Sequence, residues 1–400
     1  MRLAPRLDHI EPFYVMECAK AAGEIARGPL CDPARGGRPM IYLNIGEPDF
    51  GAPAPVQAAA AAVIARGRTD YTEATGLPAL RQAISGWYAS RFGLSIDPAR
   101  IVVTAGGSAA LQLACLALVG AGDEVLMGDP TYPCNRHFVA AADGVPVMLP
   151  CSAEDRFQPR PEAFEAAWTP RTRGVLLATP SNPTGTSIAP EALTRLIDLV
   201  RARQGFALVD EIYLGLADDP RYAQSALAFD GDDGCVVSVN SFSKYFCMTG
   251  WRLGWLVLPR SLVEPVERLA QNLFICASTL AQRAALEAFS PESIAICEAR
   301  RAEFRARREY IVPALERLGL PVPVMPDGAF YAWIDVSRHS DDSWDFAFRL
   351  MREAQVALTP GRDFARTDAR RFVRLSCARS MAELREAVDR IEGVLMSRTA

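Results

Sequence analysis

The 400-residue chain predicts an α/β fold with a large domain, in which a mostly parallel mixed sheet lies between helices, and a smaller α+β domain. In the central part, short apolar segments alternate with helical stretches, which is typical of a sheet covered on both faces. Beyond about residue 290 the chain becomes a long Arg/Glu-rich helical pattern with short strands. We therefore predict three parts: 1–45, an N-terminal arm belonging partly to the small domain; 46–290, the large domain; and 291–400, the small domain.

Six apolar segments are predicted as strands of the large domain: 101–104, 124–127, 175–178, 206–209, 235–239 and 255–258. A polar or glycine-rich cluster follows each of the first five, namely Gly106-Gly107-Ser108, Asp129–Pro133, Thr179–Gly185, Asp210, and Asn240–Lys244. Open α/β sheets bind ligands at the carboxyl edge of their strands. Five clusters at one edge therefore predict one shared site.

The C-terminal part predicts a helix over 291–318, strands at 330–335 and 372–376, and a closing helix from Met381. The first 45 residues contain two Pro/Gly-rich breaks, and we expect them to pack near this smaller domain.

Composition excludes several classes of function. The net charge of −4 argues against a nucleic-acid groove or a polybasic membrane face. No apolar run could span a bilayer, and the first residues lack the apolar core of a signal peptide. The ten cysteines are scattered without a Cys-x-x-Cys pair, which predicts reduced thiols in a cytoplasmic protein. Only three histidines occur, far apart, so neither a metal site nor a histidine triad is expected.

Lysine is almost missing from the chain. Of 43 basic residues, only Lys20 and Lys244 are lysines. A guanidinium stays protonated and cannot form an imine, whereas a desolvated lysine can lose its proton and do so. Lys244 is therefore a candidate reactive amine, although both lysines could also have survived by chance.

The other clusters offer charge and hydrogen bonds, each with a plainer alternative. The turn Gly106-Gly107-Ser108 before a helix could bind an anion through backbone N–H groups, although such turns are often only structural. Asp210 ends an apolar segment, where a carboxylate requires a cation or hydrogen-bond donors. Tyr213 follows on the same turn, and Asn182 could equally be an ordinary turn cap.

One ligand matches the whole set, and it is pyridoxal phosphate, a heteroaromatic aldehyde that carries a phosphate. Lys244 would take the aldehyde and Asp210 the protonated ring nitrogen. The remaining candidates would bind as follows: Asn182 and Tyr213 at the ring oxygen, Tyr132 on the ring, and Gly107, Ser108, Ser241 and Arg252 at the phosphate.

With these residues in place, the chain resembles the fold-type I, class I/II aminotransferases of the aspartate aminotransferase superfamily. The resemblance covers roughly residues 8 to 395. The matching segments, in family order, are Leu43–Phe50, Tyr71, Gly106-Gly107-Ser108, Asp129–Tyr132, Ser181–Gly185, Asp210–Tyr213, Ser241–Lys244, Met248–Arg252, Gly328–Tyr331 and Val373–Ser376.

The resemblance implies a pyridoxal-phosphate-dependent aminotransferase that works by a ping-pong mechanism between an L-amino acid and a 2-oxo acid. It implies that Lys244 carries the cofactor as a Schiff base and then moves the α-proton. It also implies that Arg374 binds the substrate carboxylate with help from Gly46 and Asn182. Without the resemblance, Arg374 is only an arginine on a predicted strand, and the nearby Arg379 is the second candidate. A homodimer is implied, with Tyr71 reaching the phosphate of the second subunit.

Two departures from the family pattern favour a neutral, hydrophobic amino donor. Some relatives that handle dicarboxylates have a lysine directly after the Gly-Gly pair, where this chain has Ser108. The N-terminal segment near the substrate, 12–16, is apolar rather than rich in hydroxyl groups.

Other functions remain open at this stage. An aspartate aminotransferase proper, or a β-C–S lyase of the same fold, would use the same lysine and aspartate. A nicotinamide-dependent oxidoreductase fits the α/β pattern but lacks the glycine fingerprint and its acidic ribose partner. A non-catalytic binding protein would give no reason for Lys244, Asp210 and Arg374 to occur together.

Overall fold

The structure is a computed structural model, and it describes residues 3–397. The strands in this part of the chain are β1 (Ile41–Tyr42), β2 (Ile101–Thr104), β3 (Glu124–Asp129), β4 (Val145–Pro150), β5 (Thr172–Ala178), β6 (Phe206–Asp210), β7 (Val236–Ser241), β8 (Gly254–Val257), β9 (Tyr331–Asp335), β10 (Val356–Ala357), β11 (Thr359–Pro360) and β12 (Phe372–Ser376).

The α-helices of the same residues are α1 (Tyr14–Ala26), α2 (Ala54–Ala65), α3 (Pro78–Phe92), α4 (Gly107–Leu118), α5 (Pro133–Ala141), α6 (Pro161–Ala167), α7 (Pro190–Ala202), α8 (Arg260–Leu273), α9 (Thr279–Ala285), α10 (Pro291–Arg317), α11 (Ser343–Glu353) and α12 (Met381–Met396). None of these helices is both long and apolar enough to cross a membrane.

A seven-stranded sheet forms the centre of the molecule, in the order β2-β8-β7-β6-β5-β3-β4. Strand β8 runs antiparallel to both of its neighbours, and the other pairs are parallel. All six strands predicted from the sequence are present, and the α/β prediction with a mostly parallel mixed sheet is confirmed. Because β2 runs in the same direction as β3, β5, β6 and β7, the carboxyl ends of these five strands lie at one edge.

Both faces of the sheet are buried. In β5, Val175 and Leu177 pack into one hydrophobic cluster, while Leu176 between them packs into a second. Successive side chains of a strand point to opposite faces, so the two clusters are cores on either side of the sheet. The apolar runs of the sequence are explained by this double burial.

The C-terminal part has its own antiparallel sheet, in the order β11-β12-β9. The N-terminal residues pack against this part of the chain. Strand β1 pairs with β10 in a separate two-stranded sheet, and Asp363 accepts hydrogen bonds from the backbone N–H groups of Tyr14 (3.2 Å) and Val15 (2.8 Å) at the start of α1. The division of the chain at residues 45 and 290 stays a prediction.

Candidate active site

A cavity of about 650 Å³ opens at the carboxyl edge of the large sheet. Of the twelve candidate site residues from the sequence, eleven line it: Gly46, Gly107, Ser108, Tyr132, Asn182, Asp210, Tyr213, Ser241, Lys244, Arg252 and Arg374. They come from elements far apart along the chain, so the strand ends have brought the clusters together as expected. Among the described residues, no group of three or more His, Cys, Asp or Glu could hold a metal ion.

Lys244 lies on the turn that follows β7. Its Nζ donates a hydrogen bond of 2.7 Å to the carbonyl oxygen of Gly46. Burial and the positive charges of Arg374 and Arg252 lower the pKa of Lys244 to about 8, against the opposing effect of nearby carboxylates. About a tenth of this amine is therefore uncharged at neutral pH, far more than for an ordinary lysine, and the uncharged form is the one that acts as a nucleophile or a base.

Asp210 is the last residue of β6, and only 6% of its surface is exposed. Its Oδ1 accepts a hydrogen bond of 3.1 Å from the backbone N–H of Ile212. No lysine or arginine of the described residues forms an ion pair with it, and burial raises its pKa to about 6. A buried carboxylate without an ion-pair partner is suited to bind a cationic group of a ligand.

The opposite end of the cavity fits an anion. Helix α4 begins at Gly107, so the free N–H groups of its first turn lie at the cavity wall with Ser108 and Ser241 beside them. Gly106 has a φ of +91°, and a Cβ there would lie 2.6 Å from an Arg252 nitrogen. Arg252 forms no ion pair within the described residues, which leaves its charge available.

Arg374 lies on β12 and is 2% exposed. Its guanidinium donates to Asn182 Oδ1 (2.9 Å) and to the Asn44 carbonyl oxygen (2.6 Å), while its buried Nε has no protein partner. No carboxylate in residues 3–397 forms an ion pair with it. The rival from the sequence, Arg379, is outside the cavity lining and donates to the Tyr42 carbonyl oxygen instead.

Aromatic and apolar side chains complete the wall. Tyr132 lies edge-on to Phe13, with their ring centroids 6.2 Å apart. Val15, Met16, Ile45 and Leu111 also line the cavity. Tyr213 shares a hydrogen bond of 2.6 Å with the hydroxyl of Tyr331, another lining residue that sequence reasoning placed in a motif without giving it a role.

Tyr71 is the one candidate that does not reach this cavity. Its side chain is 79% exposed in the single chain. The sequence-based expectation gave it to the site of a second subunit, and that expectation stays a prediction.

The site and fold match known proteins along almost the whole chain. Residues 38–391 match the family model for aminotransferase class I and II. A valine–pyruvate aminotransferase of Mycobacterium tuberculosis is 39% identical over 97% of both chains. An aspartate/prephenate aminotransferase of Thermus thermophilus is 36% identical over 90% of this chain and 92% of its own. The crystal structure of an aminotransferase from M. tuberculosis superimposes with a TM-score of 0.92 at 39% identity, covering 99% of this chain and all of the other.

Proposed function

Because the chain belongs to the class I and II aminotransferases, which depend on pyridoxal phosphate and move an amino group between an amino acid and a 2-oxo acid, we propose a specific donor class. The preferred donor is a neutral, hydrophobic L-amino acid. One observation carries the proposal. Within the described residues, the basic side chains lining the cavity are Lys244, Arg252 and Arg374. We assign all three a use in the reaction, so the described residues of this chain leave no cation in the cavity lining for a second carboxylate.

The apolar wall supports the same donor class. Phe13, Val15, Met16 and Leu111 present hydrocarbon to the cavity, and Glu47 adds a negative charge that would repel an acidic side chain. The relative from M. tuberculosis is named for valine and pyruvate, which agrees with a branched aliphatic donor. The T. thermophilus relative is named for aspartate and prephenate and keeps aspartate as the second candidate.

The residues present fit pyridoxal phosphate. Asp210, without a cation of its own, would hold the ring nitrogen, and the first turn of α4 with Ser108, Ser241 and Arg252 would hold the phosphate. Tyr132 would lie on the ring, while Asn182 and Tyr213 would bind its oxygen. When bound, the cofactor supplies an electron-withdrawing ring that stabilises negative charge at the substrate α-carbon.

Lys244 is the residue that we assign to covalent attachment and to proton transfer. Its lowered pKa makes Nζ a base of suitable strength for removing the substrate α-proton and delivering it to the cofactor's aldehyde carbon, on the other side of the nitrogen that would join substrate and cofactor. The carbonyl of Gly46 holds this nitrogen in place when it is protonated.

Arg374 is the residue that we assign to the substrate α-carboxylate. Its guanidinium plane is already oriented by Asn182 and by the Asn44 carbonyl, so little ordering remains to be done when the substrate binds. A bidentate contact here would fix the position of the α-carbon relative to Lys244.

Two further proposals concern the assembly and its location. We propose a homodimer in which Tyr71 of one subunit reaches the phosphate site of the other. Its support is that the Tyr71 side chain is exposed and lies outside the cavity lining of its own chain. We also propose a cytoplasmic location, since all ten cysteines are unpaired and most are buried.

A donor panel followed by the visible absorbance of the bound cofactor tests the substrate class. Valine or a similar aliphatic amino acid should convert the cofactor band much faster than aspartate or glutamate, and pyruvate should restore it. A strong preference for aspartate would overturn the proposal. Release of pyruvate from cystathionine without a 2-oxo acid acceptor would instead identify a lyase. Lys244→Ala should abolish the borohydride-reducible adduct and turnover, with Lys20→Arg as the control.

A further inference from the structure

Tyr331 contacts both Tyr213, which is proposed to bind the cofactor, and Arg374, which is proposed to bind the substrate. It is the first residue of β9, and 1% of its surface is exposed. Its hydroxyl shares a 2.6 Å hydrogen bond with the Tyr213 hydroxyl. Its ring centroid lies 4.6 Å from the Arg374 guanidinium carbon. One buried side chain thus contacts both the tyrosine assigned to the cofactor's ring oxygen and the arginine assigned to the substrate carboxylate.

We propose that Tyr331 is a positioning residue with two separable functions: its hydroxyl strengthens the hydrogen bond of Tyr213 to the cofactor, and its ring holds the guanidinium of Arg374 in the plane that receives the substrate carboxylate. The proposal rests on the roles proposed above for Tyr213 and Arg374. It adds a residue that neither binds nor reacts and that acts only through these two.

The direction of the hydrogen bond follows from what each phenol must do. The cofactor's ring oxygen accepts a hydrogen bond, so Tyr213 directs its proton to the cofactor. Tyr331 must then donate to the Tyr213 oxygen, which is its only hydrogen-bond partner in the described residues. A donor on that oxygen makes the Tyr213 O–H a stronger donor in turn, because hydrogen bonds in a chain polarise one another.

The space for this hydroxyl is provided by Gly46. A Cβ at Gly46 would overlap the Tyr331 hydroxyl and its ring edge. The same glycine offers its carbonyl oxygen to Lys244. The absence of a side chain at position 46 therefore leaves room for the Tyr331 hydroxyl beside Tyr213.

The sheet fixes the ring against Arg374. Strands β9 and β12 are antiparallel, with Tyr331 opposite Ser376 and Arg374 two residues earlier on β12. Residues two apart on a strand share a face, so the Tyr331 ring is a diagonal neighbour of the guanidinium. The ring centroid of Phe364 lies 4.7 Å from the same guanidinium carbon. Contact with aromatic faces stabilises the cation away from water.

The hydroxyl function is tested by a pH titration of the holoenzyme, followed by the absorbance of the bound cofactor. Tyr331→Phe should raise the midpoint by about half a pH unit, because a weaker hydrogen bond to the ring oxygen leaves the cofactor more basic. Tyr88→Phe is the matched control: it also removes a buried phenol hydroxyl that is hydrogen-bonded, to Trp255, but lies outside the cavity lining, and it should leave the midpoint unchanged. An unchanged or lowered midpoint in Tyr331→Phe would overturn this function.

The other charged and titratable groups around Lys244 and Tyr213 stay the same in this comparison: Asp210, Glu47, Arg252, Arg374 and Tyr132. A general loss of packing would lower thermal stability in both tyrosine variants without moving the midpoint in one of them alone. The midpoint is therefore a readout that a merely structural role does not change.

The ring function is tested with 3-methylbutanoate, a carboxylate that has no amino group to transfer. Its dissociation constant from the holoenzyme should rise about tenfold in Tyr331→Leu, which lacks the ring, and less than about twofold in Tyr331→Phe, which keeps it. Tyr331→Met serves in the same way if the leucine variant does not fold. Equal affinity in the wild type and the ring-deleted variant would overturn this function. A wild-type protein without a cofactor band would refute the proposed function instead.

Discussion

Lys244 and Gly46 are joined by a hydrogen bond of 2.7 Å from the amine nitrogen to the backbone carbonyl oxygen, although 198 residues separate them in the chain. The contact holds the amine in a cavity where burial and two arginines disfavour its charge. The consequence is chemical as well as structural, because an amine with a pKa of about 8 is a usable nucleophile at neutral pH.

The rate of cofactor attachment should follow the ionisation of Lys244. Its pKa is lowered to about 8, so the uncharged, reactive fraction rises about tenfold per pH unit below that value and levels off above it. Mixing cofactor-free protein with pyridoxal phosphate between pH 6 and about pH 10, with absorbance detection, measures the profile. Lys20→Arg should give the same curve. A midpoint near that of an ordinary lysine would contradict the lowered pKa.

Replacing Asp210 by Asn should separate stability from function. Burial raises the folded pKa of Asp210 to about 6, so between its ordinary value and pH 6 the folded state holds a proton that the unfolded state has released. The stability of the cofactor-free protein therefore falls as the pH rises through this window, by up to about 3 kcal/mol. Asp210→Asn removes the penalty and should be the more stable cofactor-free protein at pH 8, while its turnover falls at least a hundredfold.

Urea unfolding of both cofactor-free proteins at pH 4 and pH 8 measures this difference. Asparagine keeps an oxygen for the Ile212 N–H, so the comparison isolates the charge. If Asp210→Asn gained nothing over the wild type on going from pH 4 to pH 8, the carboxylate would not be penalised by burial.

Arg374→Ala should weaken the binding of the amino donor. Loss of a buried bidentate contact to the α-carboxylate should lower kcat/KM for the amino donor by about a hundredfold to a thousandfold, mainly through KM. Arg374→Lys should recover little, because an ammonium cannot make the paired contact. Arg379→Ala is the control, since this arginine donates to the Tyr42 carbonyl outside the cavity lining. Comparable losses in both alanine variants would remove the assignment of Arg374.

The sequence pattern predicted the strands of the large sheet and the edge at which the site lies, because both depend on short stretches of the chain. The apolar segments became strands, and the clusters after five of them met at one edge, because parallel strands place their carboxyl ends together. Strand β4 was not predicted. It is one of the two edge strands of the sheet and is only partly buried, and its apolar segment contains Pro146 and Pro150, which weaken the sequence signal for a strand. The antiparallel placement of β8 depends on pairing Ile101 with Val257, which no local signal specifies.

The same limit applies inside the site. Asp210 and Lys244 could be chosen from the sequence because a carboxylate after an apolar run and a rare lysine are unusual in themselves. Tyr331 is an aromatic residue on an apolar strand and looks like core. Its contact with Tyr213 spans 118 residues, and the contact of Arg374 with the Asn44 carbonyl spans 330. Such contacts follow from the packing of whole elements.

A hybrid dimer should show whether Tyr71 completes the site of a second subunit. Tyr71→Ala should weaken cofactor retention about tenfold by removing a hydrogen bond to the phosphate, and Lys244→Ala should be inactive. A hybrid that pairs these two chains contains one site with both substitutions and one site with neither, if Tyr71 acts across the interface. Purified through two different tags and assayed at limiting cofactor, the hybrid should have about half of the wild-type activity per dimer. If Tyr71 acted within its own chain, every site in the hybrid would carry one defect, and the hybrid would be no more active than its Tyr71→Ala parent.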